Sequence, residues 1–405
     1  MVETFALGPA GERLGVPELK VLVYKPLDIV AKTVIRNVTG ILDYQNGKYT
    51  IFTDIGTPPV PSSTIKPAVL PAATERQFVV AAANIETFND DVDDLSIKDE
   101  DIATPEAFEK RLVKVSLAIR DYLRYPDVLA VIEAENINVL KKLATRVNSD
   151  AVSGGKPDPK YEAFLFEGND GRGIDCGFLI KTARVNVISA KQFGRDEKFR
   201  NPVTKNDQNL NDRPPIMIEV AVPDTKTGKS LAFTVVANHL KSYSGINDEK
   251  NGPVVREKKR RQSEFLARWV NERQKANKDE RILLVGDFNA YQFSDGLVDV
   301  VGTIKGTPAA KDTVELASDD LVETDLVNFV DVITESERYS FTFDGNAQAL
   351  DHFLANEAMR RHLMGFGFLR VNADFPAAYR GDGTRVERFS DHDVAVGYFS
   401  LDPKP

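Results

Sequence analysis

Hydrophobic residues along this chain fall into two rhythms. Phe78–Ala83 (FVVAAA) is an unbroken apolar run, the signature of a strand covered on both faces, and Asp127–Ile132 (DVLAVI) reads as the next one. Further strands are expected at Cys176–Ile180, Ile216–Val222, Leu231–Ala237, Ile282–Val285 and Val394–Phe399. Between the first two the period changes. Thr104 and Pro105 suit the N-cap and first position of a helix, and Phe108, Leu112, Val115, Ile119 and Tyr122 then recur three or four residues apart. A second, basic helix is expected over about Val254–Gln274, just before the Ile282 strand. Alternating strands and helices with continuous apolar strands make this an α/β chain with a substantial sheet core.

Upstream the pattern is weaker. Lys20–Tyr24 and Val34–Thr50 contain short β-like runs, and Asn46–Gly47 between Ile41–Tyr44 and Tyr49–Phe52 is a hairpin signal. Thr57–Thr74, TPPVPSSTIKPAVLPAAT, has the prolines and small polar residues of a linker. The expected organisation is a small β-rich segment over 1–56, a linker over 57–75 and a large α/β domain over 76–402, with no internal repeat.

Composition narrows the function classes. Hydrophobic residues at 42% of 405 exclude a disordered or collagen-like chain. No apolar run approaches the roughly 20 residues that span a bilayer. The single cysteine, Cys176, leaves no intramolecular disulfide, multi-cysteine zinc site or iron–sulfur cluster. The opening MVETFALGPAGERLG lacks the basic and apolar regions of a signal peptide. With 61 acidic against 52 basic residues the net charge is −9, at first sight a poor match for a polyanion.

The residues suited to chemistry cluster at the ends of the apolar runs. FVVAAA runs into Asn84 and Glu86, VLAVI into Glu133, and FTVVA into Asn238 and His239. ILLVG runs into Asp287 and Asn289, and near the end come Asp351–His352 and Asp391–His392–Asp393. Any one of these has an ordinary explanation as a turn, a cap or a satisfied histidine. Together they place carboxylates, amides and imidazoles at strand ends, where an α/β protein assembles a site. Buried carboxylates are costly unless paired or metal-bound, so the pattern suggests a hard divalent cation with oxygen ligands.

The ordered set Asn84, Glu133, NHLKS (238–242), GDFNA (286–290), LDH (350–352) and SDH (390–392) resembles the endonuclease/exonuclease/phosphatase superfamily over about residues 76–402. The resemblance implies a four-layer sandwich, two mixed β-sheets face to face with helices outside, and one active site at the sheet ends. Within that superfamily the chain most resembles bacterial extracellular nucleases, through NIETF (84–88), IEAEN (132–136), GRGID (171–175), DRPP (212–215) and RRQSEFLARWV (260–270). Their catalytic domain commonly follows a segment similar to VTGILDYQNGKYTIF, here Val38–Phe52, the tail of an OB-like β module. Ile132 stands where that branch usually has Gln.

The resemblance implies a metal-dependent phosphodiesterase acting on nucleic acid, DNA ahead of RNA, as an endonuclease of little sequence specificity, in a secreted or periplasmic setting. No obligate protein partner is expected. Glu133, Asn84 and Asp391 would hold the metal, Mg²⁺ first, with Mn²⁺ or Ca²⁺ as alternatives. Asp287 and Asn289 would orient water and a phosphate oxygen. His392, paired with Asp351, would serve as general base or as a phosphate-stabilising imidazolium, and His239 as the acid for the leaving group, oriented by Asp175. Asn238, Lys241, Arg172 and Arg213 are the candidate substrate contacts. The same motifs also fit a phosphatase or phosphodiesterase for small or lipid phosphoesters, or an inactive binding module on this scaffold. Four further features have bland expectations: REKKRR (256–261) as a solvated helix face, NDDVDD (89–94) as a solvated loop, His362 as a helix-surface residue, and Cys176 as a small buried hydrophobe.

Overall fold

The computed structural model describes residues 30–404 apart from 46–47, 54–59, 95–96, 98–100 and 344. Twelve strands build its body: β1 (Gln77–Phe88), β2 (Val128–Ala134), β3 (Tyr161–Leu165), β4 (Asp175–Lys181), β5 (Asn186–Gln192), β6 (Ile216–Pro223), β7 (Ser230–His239), β8 (Ile282–Asp287), β9 (Val327–Asn328), β10 (Asp351–Ala355), β11 (Leu363–Leu369) and β12 (Val394–Ser400). They form two six-stranded mixed sheets, ordered β11-β12-β1-β2-β4-β3 and β9-β10-β8-β7-β6-β5. Each sheet has one parallel pair, β1 with β2 and β7 with β8.

The continuous apolar runs are explained by two burials per strand. Phe78, Val80, Ala82, Val128, Ala130, Ile132 and Phe178 face the other sheet and meet Ile216, Ile218, Val235, Ala237, Leu283, Val285 and Phe353. The alternate residues point outward. Val79, Ala81, Leu129 and Val131 are covered by helices α1 (Pro105–Leu117) and α2 (Ile137–Ser153). Met217, Val236, Leu284 and Leu354 are covered by α3 (Gly252–Ala276) and α4 (Val300–Lys305). The result is the expected helix–sheet–sheet–helix sandwich with three apolar seams.

Local signals behave as their chemistry requires. The Thr104 side chain accepts the Ala107 N–H at 3.2 Å and Pro105 opens α1. The apolar stripe continues past Leu117 through a π-helical turn, Ala118–Tyr122. Upstream, Gly40–Gln45 pairs antiparallel with Lys48–Thr53, with Gln45 opposite Lys48. The Asn46–Gly47 turn and the expected strand Lys20–Tyr24 lie outside the described residues.

The described end of the expected linker is held against the body. Ala68 N–H bonds to Arg370 O at 3.0 Å, Leu70 N–H to Tyr122 O at 3.0 Å, and the Tyr398 hydroxyl donates to Pro71 O at 2.7 Å. Proline there blocks helix and ladder pairing but leaves carbonyls free to accept, so the stretch lies on the sandwich as a strap.

Candidate active site

The two sheets stay apolar between them until one end, and there the core-facing positions become polar. Ala237 is followed two residues on by His239, Val285 by Asp287, and Phe353 is preceded two residues back by Asp351. A period of two keeps all three on the inner face. Register then aligns them: His239 pairs with Asp287 across β7–β8, and Asp287 with Asp351 across β8–β10. From the other sheet, Asn84 sits where β1 bulges before Phe88, and Glu133 sits in a β2 bulge with φ +67°. The extra residue re-aims Glu133, which would otherwise continue the strand's alternation.

These side chains touch. Asn84 Nδ2 donates to Glu133 Oε1 at 3.1 Å and to Asp287 Oδ2 at 3.3 Å, joining the two sheets. The second Glu133 oxygen accepts the Thr87 N–H at 2.8 Å and the Thr87 hydroxyl at 3.2 Å. Asn289, itself at φ +48°, donates to Asp287 from its backbone at 2.8 Å and from its amide at 3.1 Å. His239 Nε2 lies 3.6 Å from Glu133 Oε1 and 3.7 Å from Asp287 Oδ2. Opposite it, His392 Nδ1 bonds to Asp351 Oδ2 at 2.7 Å, and Ser340 Oγ donates to the same oxygen at 2.6 Å.

The two imidazoles have opposite electrostatics. His392 is raised well above the ordinary histidine value. Burial opposes the charge, but the Asp351 carboxylate, its hydrogen bond and the nearby Asp287 and Asp391 outweigh it. His239 is driven well below that value by burial, reinforced by Arg213, Arg172, His392 and Lys241. Burial also raises Asp287 well out of the usual carboxylate range, with Asp351 and Glu133 adding to it. At neutral pH the site therefore holds an imidazolium at 392 and a neutral imidazole at 239. A neutral imidazole is better placed to accept a proton than to act as the acid expected of His239.

The model of the endonuclease/exonuclease/phosphatase family matches residues 79–368, which span every one of these groups except Asp391 and His392. The chain belongs to this family. It is a hydrolase of phosphoester bonds, and family enzymes use divalent metals. No curated protein sequence matches it. Similar solved structures include a humanised D. rerio TDP2 with 14 mutations, at 14% identity and TM-score 0.47, covering 81% of this chain and 100% of that one. The human Nocturnin catalytic domain with bound sulfate follows at 13% and 0.45, covering 81% and 96%. An endonuclease/exonuclease/phosphatase family protein from Bacteroides thetaiotaomicron gives 15% and 0.47, covering 80% and 98%.

The donor set suits the family's metal. Glu86 lies half-buried, its Oε1 paired with Arg380 at 3.0 Å and its Oε2 buried without a partner, and burial and the Asp391 charge raise its pKa against the pull of Arg380, Arg388 and Arg111. Arg111, half-buried over Phe88, is lowered to about 10 by desolvation and by Arg380 although Glu86, Glu133 and Asp391 pull it up, and its hydrogen bonds go to the backbone carbonyls of Ile85, Glu86 and Thr87. A buried carboxylate oxygen left without a partner, close to other acids, is what a hard divalent ion neutralises. Asp287, Asp351 and His392 also each offer an atom within 4.8 Å of the others. Their shortest contact is the Nδ1–Oδ2 hydrogen bond, which suits proton transfer.

Several expected contacts are corrected. Arg213 is buried and spent: it donates to Asp170 at 2.6 Å, to Leu240 O at 2.9 Å and to His239 O at 3.4 Å, clamping the chain behind His239. Asn238 points away from the site, its amide bonded to Val236 O at 2.9 Å and Val285 O at 3.2 Å. Asp175 makes no hydrogen bond to His239. It accepts the Gly168 N–H at 2.9 Å, while its other oxygen and His239 Nδ1 are both buried without partners. Burial raises its carboxyl to about 7. Arg172 is exposed and paired with Asp170, whereas Lys241 is half-buried and, among the described residues, its Nζ bonds only the Ser242 hydroxyl.

Other readings also change. His352 faces away from the cluster, between Ala290 O and the Asn328 amide. Asp393 holds the backbone N–H groups of Val371, Asn372 and Ala373. His362 is buried, receiving Arg281 at 3.0 Å and bonding Ser400 O at 2.8 Å. In the acidic loop, Asp90 is buried and paired with Lys142 at 2.5 Å. Lys259 of REKKRR is 1% exposed, its ammonium bonded to Lys241 O at 2.9 Å and Asn289 O at 2.5 Å. Ser340, Thr87 and Ser390 join the site although the sequence pattern does not point to them as functional residues. Ser390 Oγ donates to Asn84 O at 2.6 Å and accepts the His392 N–H at 3.2 Å. Ser390 carries a signal in its place inside SDHD and Thr87 in its place inside NIETF, whereas Ser340 carries none.

Proposed function

We propose that the chain is a metal-dependent phosphodiesterase that cleaves nucleic acid, DNA ahead of RNA, as an endonuclease with little sequence specificity. The observation that carries this reading is the opposed imidazole pair, His392 charged by Asp351 and His239 neutral between Glu133 and Asp287. An alkoxide leaving group departs only if it receives a proton or equivalent charge, and a water attacks only if it loses one. A site holding one proton donor and nearby proton acceptors meets both needs, as a phosphodiester requires.

In this proposal Glu133 and Asp391, with Asn84 and Glu86 alongside, hold the divalent cation, Mg²⁺ being the first choice. When bound, the cation neutralises the phosphate and offsets charge developing on the leaving oxygen. Asp287, oriented by Asn289 and Asn84, positions the attacking water and takes its proton, a role its raised pKa favours. His392 donates to a phosphate oxygen, and Asp351 keeps its other nitrogen protonated. Lys241, free of a carboxylate partner among the described residues, contacts the phosphate chain.

The resemblance to secreted nucleases makes a periplasmic or extracellular setting part of the same proposal. The chain has no helix, among its described residues, long and apolar enough to cross a membrane. The deciding experiment is a substrate panel with and without EDTA: plasmid, single-stranded oligonucleotides, RNA and small phosphodiesters with Mg²⁺ or Mn²⁺. Chelator-sensitive cleavage inside plasmid DNA supports the reading. Turnover of small or lipid phosphoesters with none of nucleic acid would replace it with a phosphatase of the same family.

A further inference from the structure

Beside the phosphoester site, three aromatic rings stand in a row that no part of the proposed chemistry uses. Tyr243, four residues after His239, stacks on Tyr291, two residues after Asn289, with centroids 5.2 Å apart and planes 25° apart. Tyr291 is followed by Phe293 at 5.5 Å and 31°. The row begins at the site. Lys259 Nζ sits 4.2 Å from the Tyr243 ring centroid while bonding the carbonyls of Lys241 and Asn289, so one ammonium ties the first ring to both active-site loops. The row ends in solvent, with Phe293 62% exposed.

An exposed phenyl ring costs free energy in water, and this one is held at the open end of an ordered stack. A flat ring would cover it, and Lys241, two residues before Tyr243 at the site end of the row and with no carboxylate partner on its Nζ among the described residues, offers charge for an anionic backbone. We propose that Tyr291 and Phe293 form a stacking platform for an unpaired nucleobase adjoining the scissile phosphate, with Lys241 on the intervening backbone. Bases present a π-face whatever their identity, so such a platform binds single strands without reading sequence. The inference rests on the nucleic-acid reading above, and it adds a preference for unpaired over duplex substrate.

The test is equilibrium binding of the full chain to fluorescein-labelled oligo(dT), in EDTA so that nothing is cleaved. A polymer of the same length built from base-less tetrahydrofuran nucleotides is the comparison. Phe293→Ala and Tyr291→Ala each weaken oligo(dT) binding by about 5- to 150-fold, the range for losing one stacked base. Phe293→Trp retains the affinity, and the base-less polymer binds wild type and variants alike. With metal restored, KM for single strands rises in the alanine variants while kcat holds.

Unchanged affinity in both alanine variants overturns the platform even if the enzyme cleaves DNA. Base-dependent binding lost in Phe293→Ala, without cleavage by wild type, supports the platform and refutes only the catalytic reading. A wild-type dimer in light scattering that Phe293→Ala dissociates, with oligo(dT) binding unaltered, would reassign the row to self-association.

Discussion

At the scale of single residues, the same side chain acquires opposite properties from its neighbours. His392 and His239 are both deeply buried, and burial alone would keep both neutral. Asp351 reverses this for His392, and cations on the far side of His239 deepen it there. His392→Ala should therefore lower kcat by roughly 10²–10⁴-fold on any diester substrate, with far-UV circular dichroism unchanged. A loss smaller than tenfold would remove His392 from the chemistry. Cys176 illustrates burial without function: its thiol is pushed up by desolvation, enclosed within β4. It should stay unreactive toward a disulfide reagent in the native protein and react only after denaturant is added.

At the scale of elements, the site depends on helix α3 reaching under two loops. Lys259 joins the carbonyls of Lys241 and Asn289, and the Gln262 side chain accepts the Lys241 N–H at 2.9 Å and donates to Leu210 O at 3.0 Å. Burial lowers the Lys259 ammonium to about 7 from the ordinary 10.5. Between those values the unfolded chain binds more protons than the folded one, so this residue makes stability rise with pH across that window. Lys259→Met should flatten the rise in Tm between pH 7 and pH 9. A parallel rise in both proteins would exclude Lys259 as its source.

The end of β8 is equally exacting. Gly286 has φ +117°, and a Cβ there would sit 2.3 Å from Asn238 O. Gly286→Ala must push β7 from β8, separating His239 from Asp287. A loss of several kcal/mol in urea unfolding is expected, together with loss of activity.

At the scale of the whole molecule, a net charge of −9 coexists with a site built for an anion. The carboxylates Glu86, Glu133, Asp287, Asp351 and Asp391 converge where the two sheets end, and a divalent ion changes the local sign. Metal binding must then stabilise the fold. Added Mg²⁺ or Mn²⁺ at a hundredfold over Kd should contribute about 2.7 kcal/mol, seen as a rise in Tm that EDTA reverses. Glu133→Gln should abolish most of that rise. No shift in wild type would contradict the metal site.

The amphipathic and doubly apolar rhythms by themselves determined an α/β chain whose strands are covered on both faces, because FVVAAA and ILLVG have no other way to be buried; the four layers followed from the family resemblance. They also placed Asn84, Glu133, His239, Asp287 and Asp351 at strand ends, since polarity has to begin where the core stops. Five of the twelve strands stayed hidden: Tyr161–Leu165, Asn186–Gln192 and Leu363–Leu369 mix polar and apolar types without clean alternation, Val327–Asn328 has two residues, and Asp351–Ala355, though buried, has only three apolar residues after Asp351 and His352. What the tertiary structure decided was direction and partnership. Arg213, Asn238 and Lys259 carry the residue types of a substrate site or a solvated face, yet their hydrogen bonds go to protein groups, mainly backbone carbonyls, with Arg213 also on the Asp170 carboxylate. Protonation is decided in the same way: His239 and His392 are one residue type, and only the distance to Asp351 and the cations behind them makes one neutral and the other charged.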